Sequence, residues 1–221
     1  MTQIKICGFT DPKEAAFISY PDVSYMGMVL FFEKSKRNIS LETAKAIMRA
    51  ADPRIQKVAV VVSPTVAQAK VIEKAGFDFL QVHGVLREDV LIETAIPIIR
   101  AYNGGAGEEA ESPRICAYLF DAAEPGSGKA FDWKMLAEKK RKKPWFLAGG
   151  LTAANAGKAI SLVHPDVVDV SSGGGVYRQE GEGSGENSGV YSGCQRKLML
   201  DASCKSSCGE RDGIAIKCSR A

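Results

Sequence analysis

The stretch QKVAVVVSPTVAQAKVIEKAGFDFLQVHG, residues 56–84, holds two apolar runs separated by an amphipathic segment. The first run, residues 56–62, is rich in valine, and the second, residues 77–83, mixes aromatic and aliphatic side chains, as β-strands do. Residues 65–75 between them have the amphipathic pattern of a helix, and Gly76 is the kind of residue that ends one. The stretch therefore predicts a strand–helix–strand unit.

The same alternation continues through most of the chain. Eight apolar, mostly β-branched runs occur between residues 3 and 172, and they read QIKIC, YMGMVLFF, QKVAVVV, FDFLQVHG, IPIIRAYN, RICAYLF, PWFLAGG and DVVDVSS. Amphipathic segments separate them, such as SLETAKAIMRAA, where Ser40 and Thr43 suit the start of a helix. Eight repeats of strand and helix predict a parallel (β/α)8 TIM barrel. An open doubly wound sheet is the alternative that periodicity alone does not exclude.

Length and composition are those of a globular protein, with 221 residues, 45% hydrophobic and 25% charged. We expect a single domain over residues 1–221. The net charge of +3 is too small to predict binding to nucleic acid or to an anionic membrane, and the densest basic run, residues 138–144, is predicted to be a solvated helix end. The sequence shows no export signal and no apolar run of membrane-spanning length, so we expect a cytoplasmic protein.

The cysteines fall into two groups. Cys7 and Cys116 lie in strand-like segments, and four more crowd towards the C-terminus, at Cys194, Cys204, Cys208 and Cys218. In a chain of this size without an export signal we expect reduced thiols. The four C-terminal cysteines contain no C-x-x-C pair, so the sequence predicts no metal site.

In a (β/α)8 barrel the loops at the C-terminal ends of the strands form the active site. Strand alternation puts Lys5 and Cys7 on one face of the first strand and Ile4 and Ile6 on the other. The apolar pair would meet the helices, so Lys5 and Cys7 would point into the barrel, with Cys7 at its rim. Barrel closure makes the eighth strand the neighbour of the first, and a buried lysine needs a counter-charge. We therefore predict an ion pair between Lys5 and Asp169.

Other strand ends add polar residues. Arg37 follows the second strand, His83 ends the fourth, and Asp121 ends the sixth. The last two strands run into the glycine-rich segments AGGLT and DVSSGGG, whose backbone N–H groups can cradle a phosphate. Each residue alone has an ordinary structural interpretation, such as a buried thiol, a turn-forming aspartate or a solvated arginine. Their joint placement at strand ends favours a site for a phosphorylated ligand.

Six motifs in one order carry a family resemblance. KICGFT, KSKRNIS, LQVHG, FDAAEPGSGKAFDW, LAGGLTAAN and DVVDVSSG occur between residues 3 and 173 and together resemble phosphoribosylanthranilate isomerase of tryptophan biosynthesis. The resemblance implies a cofactor-free barrel that converts N-(5-phosphoribosyl)anthranilate into 1-(2-carboxyphenylamino)-1-deoxyribulose 5-phosphate by an Amadori rearrangement. The implied partner is a small phosphosugar, and we expect a monomer or a homodimer.

The resemblance also implies residue roles. Asp121 would be the acid that opens the ribose ring, and Cys7 the base that takes the C2 proton from the resulting Schiff base. Lys5, a cation on the same face, is one source of charge that would favour the thiolate form of Cys7. Arg37 would pair with the anthranilate carboxylate, a task that suits a planar guanidinium.

The substrate-binding set is completed by His83 and by the phosphate loops, at Gly149, Gly150, Ser172 and Gly173, with Lys5 and Asp169 in support. The resemblance stops after about residue 173. The segment that follows is rich in Gly, Ser and Glu, which predicts a flexible loop over residues 176–193 and an atypical tail over 194–221. The last barrel helix is accordingly expected to be short or atypical.

Two other functions compete with an active isomerase. A barrel with an altered C-terminal segment can hold phosphosugars and yet be catalytically impaired, which is the alternative within the same family. A related phosphosugar isomerase of histidine biosynthesis is disfavoured, because those barrels use an aspartate where this chain has Cys7.

Overall fold

Eight parallel strands form a closed barrel in sequential order. A computed structural model describes residues 2–16, 18, 23–104, 112–122, 132–137, 139, 141–152 and 154–171. Within these ranges the strands are β1 (Gln3–Cys7), β2 (Val23–Val29), β3 (Gln56–Val62), β4 (Phe79–His83), β5 (Ile98–Asn103), β6 (Ile115–Asp121), β7 (Trp145–Leu147) and β8 (Val167–Ser171). β1 pairs with β8, which confirms the (β/α)8 prediction and excludes the open sheet.

Six helices are described around the barrel. They are α1 (Pro12–Ala16), α2 (Leu41–Ala50), α3 (Val66–Lys74), α4 (Glu88–Glu93), α5 (Lys134–Ala137) and α6 (Ala156–Val163). Across the described ranges, no helix has the length and apolar character needed to cross a bilayer. The predicted loop over 176–193, the tail over 194–221 with its four cysteines, and the expected last helix all lie outside the described residues.

The strand–helix–strand unit over residues 56–84 forms as the sequence predicts. The Thr65 hydroxyl accepts the Gln68 backbone N–H, and the Gln68 side chain accepts the Thr65 N–H in return, so α3 begins with a capping box. Gly76 follows the helix with φ +88°, a left-handed conformation that disfavours a side chain. At the start of α2, Ser40 accepts the Thr43 backbone N–H at 3.1 Å, as predicted.

Two apolar cores lie on the two faces of the barrel wall. Ile4 and Ile6 belong to the outer core, where the strands meet helix residues such as Ile47. The inner core is a separate cluster in which the Tyr25 ring makes edge contacts with Phe79 and Phe146. The predicted alternation in β1 is therefore confirmed, and the polar side chains of the barrel interior lie above the packed inner core.

The basic run at residues 138–144 differs from the prediction of a solvated helix end. α5 already ends at Ala137, and some of the described cations of the run contact residues at or beside the barrel wall. The Arg141 guanidinium stacks 4.6 Å from the Trp145 ring centroid, and Lys143 Nζ donates to the Ser112 carbonyl at 2.6 Å. The run therefore follows the helix instead of ending it, and Arg141 packs on the barrel wall while remaining exposed to solvent.

Candidate active site

A buried ion pair joins the two strands at which the barrel closes. Lys5 of β1 and Asp169 of β8 are register neighbours, and Lys5 Nζ donates to Asp169 Oδ2 at 2.6 Å. Lys5 is fully buried and Asp169 is 8% exposed, so neither charge is satisfied by bulk water. The pair that the sequence predicts is confirmed, and it places a fixed dipole inside the barrel directly below the rim.

Cys7 ends β1 at the rim, where it is partly exposed. Burial raises the pKa of the Cys7 thiol, and Asp169 raises it further, while Lys5 and Arg37 lower it without reversing the direction. Lys5 therefore acts in the expected direction, because it lowers the pKa of Cys7, but burial of the thiol outweighs this effect in the free protein. Burial is the largest cause, and the Asp169 carboxylate paired with Lys5 adds a nearby negative charge that also raises the pKa of the thiol.

Gly27 of β2 makes room for the thiol and the ammonium together. A Cβ at this position would lie 2.7 Å from Cys7 Sγ, closer than a real Cβ approaches, and 3.1 Å from Lys5 Nζ, an unusually tight contact. The two functional groups therefore converge on the one backbone position in β2 that has no side chain. Sequence reasoning missed Gly27, although a glycine inside an apolar strand indicates a close approach.

Asp121 ends β6 at the same rim. Burial raises the pKa of its carboxyl to about 6, and the Asp169 carboxylate also raises it, against the Ala122 backbone N–H and Lys5, which lower it. Ala122 N–H donates to Asp121 Oδ1 at 2.7 Å and holds the carboxyl in place. Near neutral pH a protonated fraction of Asp121 is therefore available to donate a proton.

Arg37 reaches from the β2–α2 loop across the end of β1. A Cβ at Gly8 would lie 2.5 Å from Arg37 Cδ, and Gly8 has φ +98°, so the arginine stem rests on a glycine that no other residue replaces without strain. Its Nη1 donates to the Ser171 hydroxyl at the end of β8. The guanidinium thus stands over the rim between β1 and β8, and the residue is partly exposed.

His83 ends β4 and is joined to a second polar residue of that strand. Gln81 Nε2 and His83 Nε2 lie 2.8 Å apart, and Gln81 is 2% exposed. Burial lowers the pKa of His83 to about 4, with Lys5 and Arg100 lowering it as well, so its imidazole is neutral near pH 7. Sequence reasoning missed Gln81, although a polar residue two positions before His83 must share its inward face.

The glycine pair after β7 forms a tight turn in the left-handed region of φ. Gly149 and Gly150 have φ +84° and +63°, and a Cβ at Gly149 would lie 2.5 Å from the Ala122 backbone nitrogen. Asn155, also missed by sequence reasoning, fixes this loop by donating from Nδ2 to the Gly150 carbonyl at 2.9 Å. Ser172 and Gly173 lie outside the described residues.

The predicted catalytic and substrate-binding residues that the structure describes therefore occupy one end of the barrel. Cys7, His83 and Asp121 end their strands, Arg37 covers the rim, and Gly149 approaches the Ala122 backbone beside Asp121. The Lys5–Asp169 pair influences the ionisation of both Cys7 and Asp121, and Lys5 also influences that of His83. An acid, a thiol, a neutral imidazole and a guanidinium thus share one mouth, a combination suited to proton transfers on an anionic ligand.

Comparisons with known proteins agree with this arrangement. The family model of N-(5'-phosphoribosyl)anthranilate isomerase matches residues 4–181. The N-(5'-phosphoribosyl)anthranilate isomerase of Streptococcus mutans is 39% identical over 174 residues, which are 78% of this chain and 89% of the relative.

Solved structures give the same result. The phosphoribosyl anthranilate isomerase of Thermotoga maritima superposes with a TM-score of 0.71 at 27% identity, over 92% of this chain and 100% of the other. An isomerase of the same kind, solved in complex with reduced 1-(o-carboxyphenylamino)-1-deoxyribulose 5-phosphate, superposes with a TM-score of 0.68 at 26% identity, over the same shares. The chain therefore belongs to the N-(5'-phosphoribosyl)anthranilate isomerase family.

Proposed function

We propose that this chain catalyses the Amadori rearrangement of N-(5-phosphoribosyl)anthranilate to 1-(2-carboxyphenylamino)-1-deoxyribulose 5-phosphate, a step of tryptophan biosynthesis. One observation carries the proposal beyond family membership. A carboxyl with a pKa raised to about 6 and a thiol stand at the ends of β6 and β1, and both are influenced by the Lys5–Asp169 pair. The rearrangement requires an acid and a base on one substrate, and this rim supplies both.

Ring opening is the first step. The protonated Asp121 carboxyl donates to the ribose ring oxygen, the bond between that oxygen and C1 breaks, and the anthranilate nitrogen supplies the electrons to form a protonated Schiff base. Asp121 is left as a carboxylate, whose charge Lys5 and the Ala122 backbone N–H stabilise. A partly buried acid suits this step because its raised pKa keeps the proton available.

Proton abstraction from C2 is the second step. The Cys7 thiolate takes this proton, the C1–C2 double bond forms, and the resulting enolamine tautomerises to the ketose product. Arg37 would hold the anthranilate carboxylate as a planar fork, and the Gly149–Gly150 loop would hold the phosphate with backbone N–H groups. The two anionic ends fix the substrate across the mouth, with the sugar carbons between Cys7 and Asp121.

A binding barrel without turnover is the second candidate. Burial raises the pKa of the Cys7 thiol, which lowers the thiolate fraction that the second step uses. A barrel of this kind would hold the phosphosugar through Arg37 and the glycine loop and would leave it unchanged.

The decisive experiment compares two cysteine variants in purified protein. Cys7→Ala is expected to lower kcat by about 10² to 10⁴, the usual worth of a positioned proton-transfer group, with little change in affinity for a non-reacting product analogue. Cys116→Ala is the matched control, because among the described residues Cys116 is the other partly exposed cysteine packed against the inner core, and it does not end a strand.

Each outcome selects one function. Turnover that survives in Cys116→Ala and is lost in Cys7→Ala supports the isomerase. Analogue binding by the unmodified protein without turnover selects the binding barrel, and near-normal turnover in Cys7→Ala removes Cys7 as the base. Growth of a tryptophan auxotroph that lacks this step, when supplied with the chain, tests the same proposal in cells.

The proposal also covers the oligomeric state of the protein. The Thermotoga maritima relative is a dimeric enzyme that has also been obtained as monomers, and we propose a monomer or a homodimer here. Cofactor-free catalysis in the cytoplasm, on a small phosphosugar and not on nucleic acid, is part of the same proposal.

A further inference from the structure

Gln81 is a polar side chain with no evident place in the reaction described above. It lies in β4, points into the barrel interior beside His83, and is 2% exposed. Its Oε1 has no hydrogen-bond partner among the described residues. A buried amide in this position costs free energy that an apolar side chain would not, so its contact with His83 is the feature that calls for an explanation.

The contact has a direction that follows from its atoms. An amide nitrogen donates and does not accept, so Gln81 Nε2 donates to His83 Nε2 across 2.8 Å. A ring nitrogen that accepts carries no proton, and a neutral imidazole must then carry its proton on Nδ1. Burial and the cations Lys5 and Arg100 keep the ring neutral, since they lower the pKa of His83 to about 4.

We propose that Gln81 is a positioning residue that holds His83 in the neutral Nδ1–H tautomer, so that His83 meets the phosphosugar as a hydrogen-bond donor. The inference rests on the proposed function only for the identity of the ligand. His83 ends its strand at the rim and is partly exposed there, whereas Gln81 lies two residues earlier in the same strand, deeper in the barrel, and is buried. Gln81 occupies Nε2, and Nδ1 is the ring nitrogen left for an acceptor oxygen of the substrate.

Nitrogen NMR of the histidine rings tests the tautomer directly. The chain has two histidines, His83 and His164, so a sample labelled with [15N]histidine gives two ring systems, and the exposed His164 after α6 serves as an internal reference. The unmodified protein is expected to show a pyrrole-type Nδ1 and a pyridine-type Nε2 for His83. The reverse pattern, or an even mixture of tautomers, would overturn the proposal.

Three variants separate positioning from stability. Gln81→Met removes the donor at similar volume and is expected to leave His83 in a tautomer mixture. Gln81→Glu supplies an acceptor and is expected to move the proton to Nε2. Gln56→Met is the matched control, because Gln56 begins the neighbouring β3 at the opposite end of the barrel, and it should leave the His83 spectrum unchanged. An unchanged His83 spectrum in both Gln81 variants would refute positioning by Gln81.

Activity gives an independent second arm. Gln81→Met is expected to lower kcat/KM by about tenfold, the effect of one lost or misdirected hydrogen bond, and the double variant with His83→Asn should be no worse than His83→Asn alone. Additive losses in the double variant would show that Gln81 acts by a separate route. The NMR arm needs no substrate, so a failure of the isomerase proposal leaves the tautomer result standing and can be recognised as such.

Discussion

Asp121 and Cys7 ionise in the opposite order from an ideal acid and base. The pKa of the acid is about 6, while burial raises the pKa of the thiol above its ordinary value. Between these two values most molecules carry a carboxylate and a thiol, and the reactive form with a protonated Asp121 and a Cys7 thiolate is a minor species. The two sites share Lys5 and Asp169 as neighbours, so their titrations are coupled.

The pH dependence of kcat/KM should reflect this order. The reactive fraction is the product of protonated Asp121 and ionised Cys7, so kcat/KM is expected to rise with pH below about 6, stay level above it, and fall once the thiol ionises. The low-pH limb of the profile therefore reports the pKa of Asp121, the acid. The measurement is kcat/KM across pH, together with the rate at which iodoacetamide alkylates Cys7, read from its peptide by mass spectrometry.

The ionisation of the substrate phosphate must be distinguished from that of Asp121 in this pH profile, because the second ionisation of a phosphate also falls near about pH 6. A 13C titration of the Asp121 carboxyl in the substrate-free protein makes the separation. A Cys7 that reaches half-maximal alkylation below about pH 7, or an Asp121 that titrates near its ordinary value, would contradict the reversed order.

At the scale of elements, the strands were more predictable from sequence than the contacts between loops. Alternation in QIKIC and barrel closure predicted the Lys5–Asp169 pair, because both follow from period-two geometry. The support of Arg37 by Gly8 and its bond to Ser171 could not be predicted, since Arg37 and Ser171 are 134 positions apart and meet only through the fold. The raised pKa of Cys7 also escaped prediction, because it depends on how deeply the packed rim desolvates the thiol.

The β2–α2 loop is the element that aims Arg37. Asn38 anchors it, with Oδ1 accepting the Phe32 backbone N–H at 2.9 Å, and the Arg37 N–H donates to Ser35 Oγ at 3.2 Å. Ile39 N–H returns to the Val29 carbonyl at 3.0 Å, so the loop closes on the end of its own strand. Arg37 is thus held through both its backbone and the aliphatic part of its side chain in the ligand-free protein.

Replacement of Arg37 should affect substrate binding more than chemistry. Arg37→Ala is expected to raise KM by about 10- to 100-fold, the worth of hydrogen bonds to a charged group, with a smaller change in kcat. Arg37→Lys should restore this only in part, because an ammonium lacks the planar fork. Steady-state kinetics measure both constants, and Lys36→Ala, an exposed cation one position earlier, is the matched control. Wild-type kinetics in Arg37→Lys would show that bidentate recognition is the wrong description.

At the scale of the whole molecule, the raised pKa of Asp121 lowers the free energy of unfolding near neutral pH. A carboxyl whose pKa is raised in the folded state is easier to ionise in the unfolded state, so its ionisation favours unfolding. With pKa values of about 6 folded and 3.8 for the ordinary carboxyl, the penalty at about pH 7 is at most about 3 kcal/mol. Such penalties are one way in which an active site costs a protein stability.

Asp121→Asn should therefore stabilise the barrel while removing the acid. The introduced amide oxygen can still accept the Ala122 N–H, so the hydrogen bond at 2.7 Å is retained and the ionisation penalty is lost. We expect the free energy of unfolding to rise by about 1 to 3 kcal/mol at about pH 7, measured by urea denaturation of both proteins in the same buffer.

The sign of the pH dependence distinguishes this cause from better packing. The folded pKa of Asp121 is raised, so the folded state binds more protons between about pH 4 and 6, and the penalty shrinks as pH falls through that window. The folded pKa of His83 is lowered to about 4, so His83 has the opposite effect: below about pH 6.5 the unfolded state binds the extra proton, and the fold loses stability. This loss is the same in both proteins and cancels when their free energies of unfolding are subtracted. The advantage of Asp121→Asn should fall by about half between about pH 7 and pH 5, and an advantage that stays constant over that range would show that ionisation of Asp121 is not its origin.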